Sequence, residues 1–201
     1  MIRTSLFILG AVAAIAASAR TASAHPHLWI DAAGTILFDK DKVTGIRFQW
    51  TFDEFFSAGV IGEFDKNNNK QFDTDEIEPL RAGAFDGTKE VGFFTDIRIG
   101  GEKFAIEATR DFTARIEKGI AIYEFTVPLA EPVEPAQKPL TVSVYDQSYF
   151  VDIAFQGHEP VKLAGDGGAK CTIEIEDDRS NPIYGGVVYP KKAILQCSPA
   201  R

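Results

Sequence analysis

The chain has 201 residues, with 21 Lys and Arg against 29 Asp and Glu and a formal charge of −8. That length fits one domain with its own core. The acidic balance excludes nucleic-acid binders that track phosphates with clustered Lys and Arg, and it suits a cation binder or a soluble exported domain.

Met1, Ile2 and Arg3 lead into an apolar run over 5–17. A positive start, a short apolar run and then small residues make up a secretory signal peptide. The run is shorter than the roughly 20 apolar residues that span a bilayer. Two small-x-small sites follow. A cut after Ala22-Ser23-Ala24 makes His25 the first mature residue, and a cut after Ala17-Ser18-Ala19 leaves Arg20 first. The former is preferred. It divides the chain into a signal over 1–24 and a single periplasmic domain over 25–201. It also removes Arg3 and Arg20 and no acid, so 19 basic residues face 29 acidic ones and the mature charge is −10. No Cys follows the apolar run and no later segment is apolar enough to span a membrane, so no membrane anchor is expected.

Residues 27–38 read as a strand. A charged turn, Asp39-Lys40-Asp41-Lys42, joins it to the alternating strand 43–50, making a hairpin. At Asp53 the period changes. Phe55, Phe56, Val60, Ile61 and Phe64 recur at helical spacing after an Asp start signal. A second helix carries Ile77, Leu80, Ala84 and Phe85 on one face, tolerates Pro79 near its start and stops at Gly87. The helical excursion covers about 53–87.

Between these helices lies "DKNNNKQFDTDE", a twelve-residue EF-hand-like loop. Asp65, Asn67 and Asn69 stand at positions 1, 3 and 5. Gln71 offers its backbone carbonyl at 7, Phe72 fills the apolar position 8, Asp73 is at 9, and Glu76 supplies two oxygens at 12. Calcium wants six to eight oxygens around one point, which this spacing provides. Lys70 stands where the motif uses Gly, at an expected strain of about 1 kcal/mol.

Strands resume over 93–99 and 103–106, a hairpin through Gly100-Gly101, and then over 120–127. A Pro-rich connector precedes strands at 140–145, 149–155, 171–175 and 193–197. Many short strands with regular turns indicate a mainly β, α+β fold: a β-sandwich-like domain with an inserted helix-loop-helix. Cys171 and Cys197 read as a disulfide in an oxidising compartment.

The three histidines are His25, His27 and His158. A cut after Ala24 gives His25 a free α-amine, which with its ring can chelate one ion. Nitrogen donors suit Zn, Ni, Co or Cu. Residues i and i+2 of a strand share a face, so His27 can join His25. His158 follows a strand and can reach a neighbouring strand end, which makes a three-His site possible. Asp31, Asp146, Asp152 or Glu159 could complete it. No G-x-S-x-G or HExxH is present and "GDGGAK" lacks phosphate-loop spacing, so no enzymatic activity is expected.

Three motifs together, "HPHLWIDA", "FDKNNNKQFDTDEIEPL" and "VYDQSYFVDIAF", resemble domain-of-unknown-function family 1007 over roughly 25–165. The resemblance implies a periplasmic component of an uncharacterised ABC-type transport system, with a membrane transporter of the nickel/cobalt type as partner. It singles out His25, His27 and Asp31, and Tyr145, Asp146, Tyr149 and Asp152. At Lys70 this chain departs from the Gly often found in the family's loop. The expected function is a periplasmic metal-binding accessory protein for transition-metal transport or homeostasis. Two alternatives stand beside it: a calcium-braced binding or adhesion module, and a copper oxidative enzyme built on an N-terminal His.

Overall fold

A computed structural model describes residues 26–198. The expected signal peptide and His25 lie outside the described residues. Two sheets contribute to one apolar core. The first runs β5 (Arg110–Glu117), β6 (Ile120–Val133), β2 (Lys42–Phe52), β1 (Leu28–Asp39), β8 (Val151–Phe155), with β9 (Val161–Ala164) also on β1, and the second runs β10 (Cys171–Asp177), β11 (Lys191–Cys197), β7 (Leu140–Val144), β3 (Thr95–Ile99), β4 (Glu102–Lys103). The expected hairpin is present: β1 (Leu28–Asp39) pairs antiparallel with β2 (Lys42–Phe52). Strand β2 also pairs with β6 (Ile120–Val133), placing Phe48 opposite Phe125 and Trp50 opposite Tyr123.

This register explains the core. Alternation along β2 sends Phe48, Trp50 and Phe52 inward and Arg47, Gln49 and Thr51 outward. The inward rings meet those of β6 and the helical excursion. Trp50 lies 4.8 Å from Phe125, and Phe85 lies 4.8 Å from Phe125, between ring centroids.

The excursion contains α1 (Glu54–Phe64), α2 (Thr74–Ala84) and a 3₁₀ segment, Asp86–Phe94. Asp53 caps α1, its Oδ1 accepting the Phe56 N–H at 2.9 Å. The excursion ends later than the predicted residue 87, because the chain does not enter a strand at Phe93. Gly92, Phe93 and Phe94 take φ of 63°, 53° and 48°. Left-handed backbone costs an L-residue about 1–2 kcal/mol. Burying a Phe ring returns about 1.5–3 kcal/mol, and Phe93 is buried and stacks on Phe85. Packing of both rings, Phe94 lying 5.9 Å from Trp50, offsets the strain at the two residues, and β3 (Thr95–Ile99) begins two residues late.

The second half of the expected hairpin is short: β4 spans only Glu102–Lys103. Two strands carried no clear sequence signal, β5 (Arg110–Glu117) and β9 (Val161–Ala164). The remaining strands stand close to their predicted places: β7 (Leu140–Val144), β8 (Val151–Phe155), β10 (Cys171–Asp177) and β11 (Lys191–Cys197). Cys171 and Cys197 sit opposite each other on β10 and β11 and are disulfide-bonded. No helix among the described residues is long and apolar enough to cross a membrane.

Candidate functional site

The first and third sequence motifs lie far apart in the chain and side by side in the fold. β1 and β8 pair in parallel, with Leu28 beside Val151, Trp29 beside Asp152 and Asp31 beside Ala154. The pairing extends upstream: the His27 N–H donates to the Phe150 carbonyl at 2.9 Å, and the two rings lie 4.7 Å apart. Ile30 and Ala32 point inward, so His27, Trp29 and Asp31 share the outer face. Asp152 shares it as well. Two residues of strand rise and one inter-strand spacing put the His27 and Asp152 Cα atoms about 8 Å apart.

The turn before β8 is held by Asp146. Its carboxylate accepts the Ser148 N–H at 3.0 Å, the Ser148 hydroxyl at 2.8 Å and the Val151 N–H at 3.0 Å. Buried and committed to these bonds, Asp146 shapes the turn. Asp152 is oriented from behind, since the Tyr149 hydroxyl donates to its Oδ2 at 3.1 Å. Burial, and after it the Asp152 carboxylate, push the Tyr149 phenol above its ordinary pKa. Tyr184 packs on Tyr149 at 5.4 Å.

His158 does not join this face, which corrects the three-His arrangement. Ala32 accepts the Gln156 N–H and Gly34 donates to Pro160, so His158 lies opposite residues 32–34 of β1. Six residues of strand separate that level from His27, or about 20 Å. The reason is the parallel sense of the pairing: the start of β8, and not its end, lies beside the start of β1. His158 and Glu159 instead line an open groove of about 710 Å³ between β9 and β10. Among the described residues, no three His, Cys, Asp or Glu converge closely enough to hold an ion. The expected chelating residue, His25, lies outside them.

The loop over 65–76 is closed by hydrogen bonds from its own backbone and amide N–H groups to side-chain oxygens. Lys70, at the motif's Gly position, has φ of 65°. Asp65 Oδ1 accepts the Asn69 N–H at 3.1 Å, and its Oδ2 accepts the Lys70 N–H at 3.0 Å. Glu76 Oε1 accepts the Lys66 N–H at 2.6 Å, and Oε2 accepts the Asp73 N–H at 3.0 Å. Asp73 Oδ2 accepts from the Asn67 and Asn69 amides, each at 2.8 Å. Phe72 is buried and pins the loop to the core, while Gln71 is exposed. Asp65 and Glu76 are only 5% and 6% exposed. Each carboxylate accepts two backbone N–H groups, which satisfy its oxygens in the absence of a metal. The residue types stand in the order of the calcium motif, and their oxygens are taken up by N–H groups of the loop itself.

The family model described as "Protein of unknown function (DUF1007)" matches residues 10–185. An "Uncharacterized 15.5 kDa protein in trpE 3'region" of Spirochaeta aurantia is 33% identical over 141 residues, which cover 70% of this chain and 100% of that protein. An "Uncharacterized protein" of Haemophilus influenzae is 22% identical over 191 residues, covering 87% of this chain and 91% of that protein.

Proposed function

The chain belongs to the DUF1007 family, and from that premise we propose that it is an exported metal-binding accessory protein that takes a transition-metal ion at the start of β1. The observation that carries this reading is the β1–β8 pairing, which places Asp152 on the face of His27. The ligand set is the His25 amine and ring, the His27 ring and the Asp152 carboxylate. Nitrogen donors with one carboxylate suit Zn, Ni, Co or Cu. Tyr149, hydrogen-bonded to Asp152, orients that ligand from the second layer. The signal-like N-terminus and the disulfide are compatible with a periplasmic location. In the same reading, the partner that receives or supplies the ion is a nickel/cobalt-type membrane transporter or an ABC-type system.

The test uses the exported protein, its first residue fixed by intact mass. Calorimetry with zinc, nickel, cobalt and copper is expected to give one equivalent bound. His25→Ala with His27→Ala abolishes binding, Asp152→Asn weakens it about tenfold, and His158→Ala leaves it unchanged. Unchanged affinity in the double His variant overturns the reading, as does a first residue of Arg20.

A second reading, a calcium-braced binding module, is favoured by one separate observation. Asp65 and Glu76 are buried in a loop whose Lys70 already holds the left-handed turn of the motif. Here calcium fastens α1 to α2 and the histidines have no role. Metal analysis of the purified protein separates the two, with calcium alone favouring the module.

A further inference from the structure

Three stretches of chain meet around the start of β1: residues 26–39, 48–65 and 139–161. None of them contains a Lys or an Arg. Their carboxylates gather near one exposed ring. Trp29 is 49% exposed on the outer face of β1. Asp31 follows it on that face, Asp152 lies opposite it on β8, and Asp53 Oδ2 accepts its backbone N–H at 3.0 Å. Phe55, two residues beyond Asp53, is 88% exposed.

An indole face attracts cations more strongly than any other side-chain ring. Carboxylates beside it add to that attraction, and Arg115, which reaches this sheet face at Gln49, is paired with Glu117 and Glu124. Anionic ligands are repelled, and so is a second copy presenting the same face. We propose that this surface docks a Lys- or Arg-bearing segment of a partner protein, one cationic head lying over Trp29 between Asp31 and Asp152. The surface exists without any bound metal, so the inference stands apart from the metal reading although both use Asp152.

The chain holds two tryptophans, and Trp50 is buried at 1% exposure. Emission changes on adding a polar probe therefore report Trp29. The full chain, kept metal-free with a chelator, is titrated with a short peptide alternating arginine and serine, and with its glutamate counterpart. The arginine peptide is expected to give a saturable, salt-sensitive change, and the glutamate peptide none. Asp31→Asn with Asp152→Asn should weaken binding on the order of tenfold. By contrast, Glu174→Gln with Glu176→Gln, an equal charge loss on β10, should change it less than about twofold. Amide chemical-shift changes confined to β1, β8 and the start of α1 would show the same site and confirm that both variants are folded. The proposal is overturned by no saturable response, by equal binding of the glutamate peptide, or by equal weakening in the β10 control. Loss of metal binding with peptide binding intact would overturn only the metal reading.

Discussion

Lys70→Gly isolates the one position where the calcium-type loop departs from its motif. Lys70 holds φ of 65°, a conformation that costs an L-residue about 1–2 kcal/mol. Glycine removes that strain but has about 0.5–1 kcal/mol more entropy to lose on folding. The net gain for the metal-free chain is then about 0.5–1 kcal/mol, or a rise in Tm of roughly 1–4 °C for a chain of this size. With calcium a second effect appears. An ammonium roughly 8 Å from a dication in a water-like dielectric opposes it by about 1 kcal/mol, so its removal tightens binding about fivefold. Thermal melts with and without calcium, and calcium calorimetry on the same samples, read the two effects separately. Glu76→Gln in the Lys70→Gly background serves as the control and should abolish the calcium heat. A variant that melts lower without metal refutes the strain argument. A variant with unchanged or weaker calcium affinity refutes the placement of the ammonium beside the ion.

Other positions test the frame. Gly45→Ala places a Cβ 2.8 Å from the Val127 carbonyl oxygen and 3.3 Å from the Pro128 Cα. Both are backbone atoms that cannot rotate away, so urea unfolding should show a loss of about 2–3 kcal/mol. Cys171→Ser with Cys197→Ser opens a loop with a sequence separation of 26, and loop-closure entropy sets the expected loss at about 3.5 kcal/mol. Asp178 offers a pH test. Burial raises its pKa, but hydrogen bonds from Ser180 and the Lys192 ammonium outweigh burial and hold it below its ordinary 3.8. The stability it contributes is therefore present above pH 3.8 and lost as pH falls through its lower folded value. Acid unfolding of Asp178→Asn should start from lower stability at neutral pH and show a shallower slope below pH 3.8.

The contrast between helices and face shows what a sequence can carry. The two helices that flank residues 65–76 were legible because their determinants are near neighbours: an Asp start signal and apolar residues at helical spacing. The strands β1, β2, β6 and β7 were legible from their alternation, and the disulfide from the cysteine pair and its compartment. Local periodicity records which way each side chain points relative to its neighbours. It does not record which strand comes to lie alongside.

That choice belongs to the tertiary structure, and it decided the candidate site. Parallel pairing of β1 with β8 brings Asp152 and Phe150 to His27 and carries His158 to the other end of the edge. An antiparallel pairing of the same two strands would have reversed the outcome, and no local pattern distinguishes them. The left-handed Phe93 and Phe94 were hidden for a related reason. Their β-like composition yields to burial against Phe85 and Trp50, rings supplied by other elements. The sequence by itself determined most of the strands, the two helices and the disulfide, because those depend on local pattern and composition. Only the packed fold decided which histidine meets which carboxylate, because strand order and sense come from burying all the apolar faces together.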